Sequence, residues 1–68
     1  MAVKLKDLRE GSIVFVRPDF GMAPPRKARV LCAEADIKNG RPGIDYEWLD
    51  GSDSAWAYLH QVDRVAQY

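Results

Sequence analysis

The sequence predicts an all-β fold in which five short antiparallel strands curl into a small barrel, within one domain of residues 1–68. The chain has 68 residues, which is too short for two domains. Over most of it, β-branched and aromatic residues recur in twos, the period of a strand, whereas the longest helix-compatible stretch ends at Gly11. Two Asx-Gly pairs, at 39–40 and 50–51, are typical of tight hairpins between such strands.

The first half of the chain contains two predicted strands and a long loop. Residues 12–17 (SIVFVR) are β-branched and aromatic and form the first strand, which the next residue ends because it is a proline. Residues 19–27 hold a glycine and two prolines, and we expect a loop whose Phe20 and Met22 fold back onto the barrel. Residues 28–34 (ARVLCAE) form the second strand.

The second half of the chain contains the hairpins. Asn39-Gly40 is followed by Pro42-Gly43, so two successive turns are predicted within residues 36–43. The remaining predicted elements are strand three (44–49), the tight hairpin at 50–51, strand four (54–59), a short 3-10 turn (60–63) and the last strand (64–67).

Alternation along these strands separates the predicted core from the predicted surface. Because residues two apart share a sheet face, Val14 and Val16 are expected to point inward, and Ile13 and Phe15 outward. A domain this small has a marginal core, so we expect a homo-oligomer that forms through Ile13, Phe15 and Leu31. The other residues expected to point inward are Ala28, Val30, Cys32, Val62 and Val65.

Composition limits the classes of function. Ten basic residues balance ten acidic ones, which disfavours a nucleic-acid binder that depends on gross positive charge. Cys32 and His60 are single residues of their types, so they cannot complete an internal disulfide or a four-ligand zinc site. We expect no metal, no cofactor and no catalytic residue. The free thiol, the lack of an apolar run of membrane-spanning length and the lack of a signal-peptide pattern predict a cytoplasmic protein with no membrane partner.

Both ends of the sequence resemble a known barrel family. Residues 5–16 (LKDLREGSIVFV) look like the opening of SH3-like barrels of the Tudor and KOW type, in which a glycine turn precedes a strand with two inward valines. Residues 58–65 (YLHQVDRV) resemble their ending, in which strand four runs through a 3-10 turn into the last strand. The resemblance implies an SH3-like barrel, a fold that does not by itself fix the function.

A more distant resemblance is to the type II dihydrofolate reductases, SH3-like barrels that share one active-site pore as tetramers. Tyr58 matches the tyrosine of their pore-lining Val-Gln-Ile-Tyr motif, and residues 20–22 echo a Phe-Gly-Met of that family. However, Trp56 stands where the motif has glutamine and would block the pore, and the Phe-Gly-Met copy follows strand one instead of preceding it. A pore-type oligomeric enzyme is therefore only the second alternative.

Aromatic side chains carry the leading functional expectation. If Tyr46 and Trp48 shared a face with Trp56 and Tyr58, four rings would line one surface, with the 19–27 loop as its lid. Such rings attract cations and stack on flat or ring-shaped ligands. The sequence therefore predicts a non-catalytic interaction module whose protein or peptide partner contacts Phe20, Arg26, Trp48, Trp56 and Tyr58.

Two alternative roles for these residues are also consistent with the sequence. The rings could simply fill the core and a subunit interface, where aromatics are also enriched. The first functional alternative is a nucleic-acid-binding barrel, in which Arg26, Lys27 and Arg29 contact phosphates beside Trp56.

Overall fold

A computed structural model describes residues 3–67 of the chain as a single five-stranded antiparallel sheet. The predicted all-β class, with a 3-10 turn before the last strand, is confirmed. The strands follow the order β4-β3-β2-β1-β5, so β4 and β5 are edge strands and the sheet is open. In chain order the elements are the 3-10 turn η1 (Leu5–Asp7), β1 (Ile13–Val16), the 3-10 turn η2 (Asp19–Gly21), β2 (Arg26–Lys38), β3 (Arg41–Trp48), β4 (Ser54–Tyr58), the 3-10 turn η3 (Leu59–Gln61) and β5 (Val62–Gln67).

One face of the sheet carries the core. Val14 and Val16 of β1, an interior strand of the sheet, are fully buried, which confirms the predicted register of that strand. Val65 packs against the core but stays half-buried, because the β1–β5 ladder contains register shifts. The core consists of Leu8, Val14, Val16, Ala28, Val30, Ile44, Tyr46, Ala57 and Val62.

The predicted inward position of Cys32 is wrong. Val30 pairs with Tyr46, but Cys32 pairs with Asp45, the next residue of β3, so Leu31 is an extra residue in β2. Such a bulge reverses the alternation that follows it. Cys32 is consequently exposed, and Ala33 takes the place facing the core.

The hairpin between β2 and β3 contains one turn instead of two. Asn39 and Gly40 both have positive φ (56° and 72°), as expected for their turn, and β2 runs up to it. The predicted turn at Pro42-Gly43 is wrong, because both residues lie within β3. Gly43 is needed there for packing: a Cβ atom at this position would collide with the Ala57 carbonyl oxygen and the Ile37 side chain.

The connection between β3 and β4 is longer than the predicted two-residue hairpin. It spans residues 49–53 and is closed by the Trp48 amide donating to the Asp53 carbonyl oxygen at 3.0 Å. Inside it, the Asp50 carboxylate accepts a hydrogen bond from the Ser52 amide, and the Asp53 carboxylate accepts one from the Ser54 amide. These side-chain acceptors stabilise the longer turn.

The η3 turn connects the two edge strands, one residue earlier than predicted. Buried Gln61 accepts a hydrogen bond from the Tyr58 amide and donates one to the Arg17 carbonyl oxygen, both at 3.0 Å. The Arg17 amide donates in turn to the Gln61 carbonyl oxygen at 2.8 Å. Gln61 therefore connects the residue that follows β1 to the η3 turn and to the end of β4. Within residues 3–67, the structure contains no helix with the length and apolar character needed to cross a membrane.

Candidate functional site

A groove of about 250 Å³ lies between the η2 turn and the edge strand β4. We call it the aromatic groove. Its lining includes Tyr46 of β3, which is buried. Among residues 3–67, Asp19 is the one charged residue that lines the groove. Its lining consists of Pro18, Asp19, Phe20, Tyr46, Ala55, Trp56 and Gln61.

A left-handed turn presents Phe20 to the groove. Asp19 and Phe20 have φ angles of 57° and 54°, and Gly21 follows at 91°. The Met22 amide closes the turn by donating to the Asp19 carbonyl oxygen at 3.0 Å. Phe20 is 68% exposed and Met22 83% exposed, although Phe20 lines the groove beside Tyr46 and Trp56. The expectation that both residues fold back onto the barrel is therefore wrong for Met22, whereas Phe20 meets the sheet at the groove.

The four aromatic rings of β3 and β4 lie on opposite faces of the sheet. Tyr46 and Trp48 are two residues apart on β3, so they share the inner face, where their rings meet edge-to-face at 4.8 Å. Tyr46 pairs across the strands with Ala55. Trp56 pairs with Asp45 and faces outward with Tyr58, at 5.1 Å. The structure thus corrects the expectation of a single four-ring surface and leaves two separate aromatic pairs.

Tyr46 keeps its phenol neutral in this setting. Burial raises the pKa of Tyr46 above its ordinary value; Arg26 opposes this shift, and the nearby Asp53 carboxylate adds to it. The hydroxyl therefore remains a hydrogen-bond donor at neutral pH.

Arg26 and Trp48, two of the predicted ligand-binding residues, form a separate contact. The Arg26 guanidinium lies 4.3 Å from the Trp48 ring, and its Nη2 atom is 3.4 Å from Oδ2 of Asp50. Hydrogen bonds from Ser52 hold the pKa of Asp50 below its ordinary value. Of the predicted ligand-binding set within residues 3–67, Phe20 and Trp56 line the aromatic groove. Arg26, Trp48 and Tyr58 do not, although Tyr58 meets Trp56 on the outer face.

Cations cover the outer aromatic pair, and sequence reasoning missed them. Lys38 Nζ lies 5.0 Å from the Trp56 ring, and the Arg41 guanidinium lies 4.9 Å from Tyr58. The side-chain Nδ2 of Asn39 donates to the Tyr58 hydroxyl at 3.3 Å. The available signal was the Asn39-Gly40 turn, since residues that flank a hairpin turn stay close to the strand next to it. We call Lys38, Arg41, Trp56, Tyr58 and His60, which stacks on Tyr58 at 5.7 Å, the outer cluster.

The residues predicted to mediate self-association lie on the outer face but are partly covered. The Phe15 ring has the Arg64 guanidinium at 4.3 Å and Lys27 Nζ at 5.7 Å. Ile13 and Phe15 are half-buried, whereas Leu31 in the bulge is exposed. Long cationic side chains cover an aromatic ring in this way because their methylene stems are apolar.

The basic residues of the predicted phosphate-binding surface each make a separate contact. Arg26 contacts Asp50, and Arg29 Nη1 forms an ion pair with Glu47 Oε1 at 3.0 Å. Lys27 lies over Phe15. Trp56 instead has Lys38 beside it.

The aromatic groove combines aromatic rings with an acidic side chain. Its rings attract cations and stack on flat groups, and Asp19 supplies a negative charge at its edge. Across residues 3–67, no three His, Cys, Asp or Glu side chains come together as a possible metal site. Comparison with protein-family models, with curated proteins and with solved structures finds no match to this chain, so its proposed function is argued from this geometry.

Proposed function

We propose that the protein is a small non-catalytic interaction module that binds a peptide segment of a partner protein in the aromatic groove. The observation that carries this proposal is that Phe20 and Trp56, far apart in sequence, line one groove with Tyr46. The strand count and the 3-10 turn before the last strand support the expected relation to SH3-like modules, which is part of the same proposal.

The position of Phe20 supports a role in binding. A left-handed conformation at a residue with a side chain costs about 1–2 kcal/mol, and such strain occurs preferentially at functional sites. Here it holds an aromatic ring largely in solvent, where the ring contributes little to the core. A ring that is both strained and exposed is better accounted for by a ligand than by folding.

The lining of the groove favours a basic ligand group. Among residues 3–67, three aromatic residues and the Asp19 carboxylate line it and no basic residue does, although Lys38 Nζ lies 5.0 Å from the Trp56 ring. A cation over an aromatic face gains about 0.5–2 kcal/mol, depending on its desolvation. We therefore propose that a lysine or arginine side chain of the peptide enters the groove.

The test is binding of dye-labelled peptides by fluorescence anisotropy. A peptide with a central lysine should bind, and the same peptide with glutamine at that position should bind about tenfold more weakly. Trp56→Ala should abolish binding while circular dichroism shows an intact fold, because Trp56 lies outside the core. Trp48→Phe, in a tryptophan that does not line the groove, is the matched control and should bind normally. Equal binding of the two peptides, or binding by Trp56→Ala, would refute the proposal.

A second candidate function is weak binding of single-stranded nucleic acid by the outer cluster. The observation that favours it is the pairing of Lys38 with the Trp56 ring and of Arg41 with the Tyr58 ring, since proteins of that class combine cations with base-stacking aromatics. The balanced charge of the chain weighs against it.

Salt and two substitutions distinguish the two candidates. Phosphate contacts weaken steeply as salt rises, whereas binding through aromatic rings is less sensitive. Phe20→Ala should abolish peptide binding and leave oligonucleotide binding unchanged, because Phe20 lines only the aromatic groove. The Lys38→Gln substitution should have the opposite pattern.

A further inference from the structure

A second cavity, of about 380 Å³, lies beside the η3 turn and shares no lining residue with the aromatic groove. We call it the η3 cavity. Its volume falls within the range of about 300–1,000 Å³ typical of small-molecule sites. Its lining consists of Val3, Arg41, Pro42, Tyr58, Leu59, His60 and Val62.

The η3 cavity is apolar with a basic side. Val3, Pro42, Leu59 and Val62 supply an aliphatic surface. Among the described residues 3–67, Arg41 is the permanently charged residue of the lining, and no carboxylate residue lines the cavity. This is the reverse of the aromatic groove, whose lining carries an acidic residue.

Arg41 is held in place without being neutralised. Its guanidinium packs over the Tyr58 ring at 4.9 Å, and Tyr58 is itself fixed by the hydrogen bond from Asn39. Within residues 3–67, Arg41 forms none of the ion pairs, whereas Arg17, Arg26 and Arg29 each contact a carboxylate. A guanidinium stacked on a ring keeps its N–H donors in the plane, where a carboxylate can accept two of them.

We propose that the η3 cavity binds a small aliphatic monocarboxylate. The carboxylate accepts hydrogen bonds from the Arg41 guanidinium, and the alkyl chain lies against Leu59, Pro42 and Val62. The two parts are both required: a single exposed guanidinium gives modest affinity, and burial of each methylene group of the chain strengthens binding about fourfold.

The test uses hexanoate as the probe and amide chemical shifts of the full chain as the readout. Hexanoate should shift the amides of Leu59, His60 and Val62 in a saturable way. Hexan-1-ol and hexylamine, which keep the chain but lose the negative charge, should bind about tenfold more weakly. Inorganic phosphate, which keeps a charge but has no chain, should also bind about tenfold more weakly.

Two variants complete the test. Arg41→Gln should remove the preference for hexanoate over hexan-1-ol. Arg64→Gln is the matched control, since Arg64 also packs on an aromatic ring, that of Phe15, but does not line the cavity. It should keep the preference.

Several results would overturn this assignment. These are equal binding of hexan-1-ol or phosphate, an unchanged preference in Arg41→Gln, and shifts that map away from η3. Because the η3 cavity and the aromatic groove share no residue, this result is independent of the peptide-binding proposal.

Discussion

At the scale of single residues, Phe20 combines a cost to folding with a role in the candidate site. Its left-handed conformation suits glycine, and replacing it by glycine relieves about 1–2 kcal/mol of strain, partly offset by the larger unfolded-state entropy of glycine. We expect Phe20→Gly to stabilise the protein by about 1 kcal/mol and to raise its Tm by about 4–8 °C in a thermal melt. The same variant should lose peptide binding.

Phe20→Ala is the control for that prediction. Alanine removes the ring but keeps a Cβ atom, so the left-handed strain stays. Binding should be lost without the gain in Tm. If Phe20→Gly melted below the wild type, Phe20 would be a packing residue and its strain would have another origin.

Tyr46 gives a pH-dependent signature of its burial. Its raised pKa means that the folded state holds the phenolic proton more tightly than the unfolded chain, whose tyrosine has a pKa near 10.0. The unfolding free energy should therefore be unaffected by this group at neutral pH and should fall as the pH rises above about 10. In urea titrations at a series of pH values, Tyr46→Phe should lose less stability than the wild type over that alkaline range. Parallel losses in the two proteins would contradict the assigned shift.

At the scale of the elements, the sequence predicted what short-range patterns encode. The alternation of Val14 and Val16 with Ile13 and Phe15 sets the face of β1, and the Asn39-Gly40 pair sets the β2–β3 hairpin, because both depend on neighbouring residues. The bulge at Leu31 was not predictable in this way, since an extra residue in β2 is chosen by the pairing with β3.

The candidate site was predictable only in part, because its assembly depends on how distant strands pair. Phe20 and Trp56 were recognisable as aromatics that a small sheet cannot cover. That Tyr46 joins them, while Trp48 and Arg26 form a separate pair, depends on which face each strand presents. That choice follows from the β3–β4 register, which a two-residue turn at 50–51 also gives and in which Trp56 pairs with Asp45, so the single four-ring face was the wrong step.

Gly43 tests the packing of β3 against its neighbours. We expect Gly43→Ala to destabilise the protein by about 1–3 kcal/mol, because its Cβ atom would overlap the Ala57 carbonyl and the Ile37 side chain. Chemical denaturation measures this loss. Pro42→Ala, at the exposed neighbouring position, is the control and should change stability by less. A neutral Gly43→Ala would contradict the close approach of Gly43 to Ala57 and Ile37.

At the scale of the whole molecule, we propose that the outer face of β1 and β2 forms a homodimer contact. Leu31 is exposed there, and Ile13 and Phe15 are half-buried beside it. Phe15→Glu should weaken association by about 2 kcal/mol or more, because it replaces a central aromatic with a charge. The monomer should stay folded, since Arg64 and Lys27 already flank that position and can pair with the new carboxylate.

Sedimentation velocity measures this association. The wild type should sediment as a dimer at micromolar concentration, and Phe15→Glu as a monomer. The surface control is Met22→Glu, at an exposed residue of the loop after η2, and it should leave the dimer intact. A wild-type monomer at every concentration would end the proposal.

The hydrogen bonds of Gln61 and Asp53 also bear on how the open sheet avoids polymerising. An unpaired edge strand is a template on which another chain can add, and repeated addition leads to fibrils. At one end of β4 the Tyr58 amide already donates to Gln61, and at the other end the Ser54 amide donates to Asp53. An incoming strand therefore meets occupied donors at both ends of a strand only five residues long. The side chains that shape the two turns thus also act as gatekeepers against amyloid-like growth.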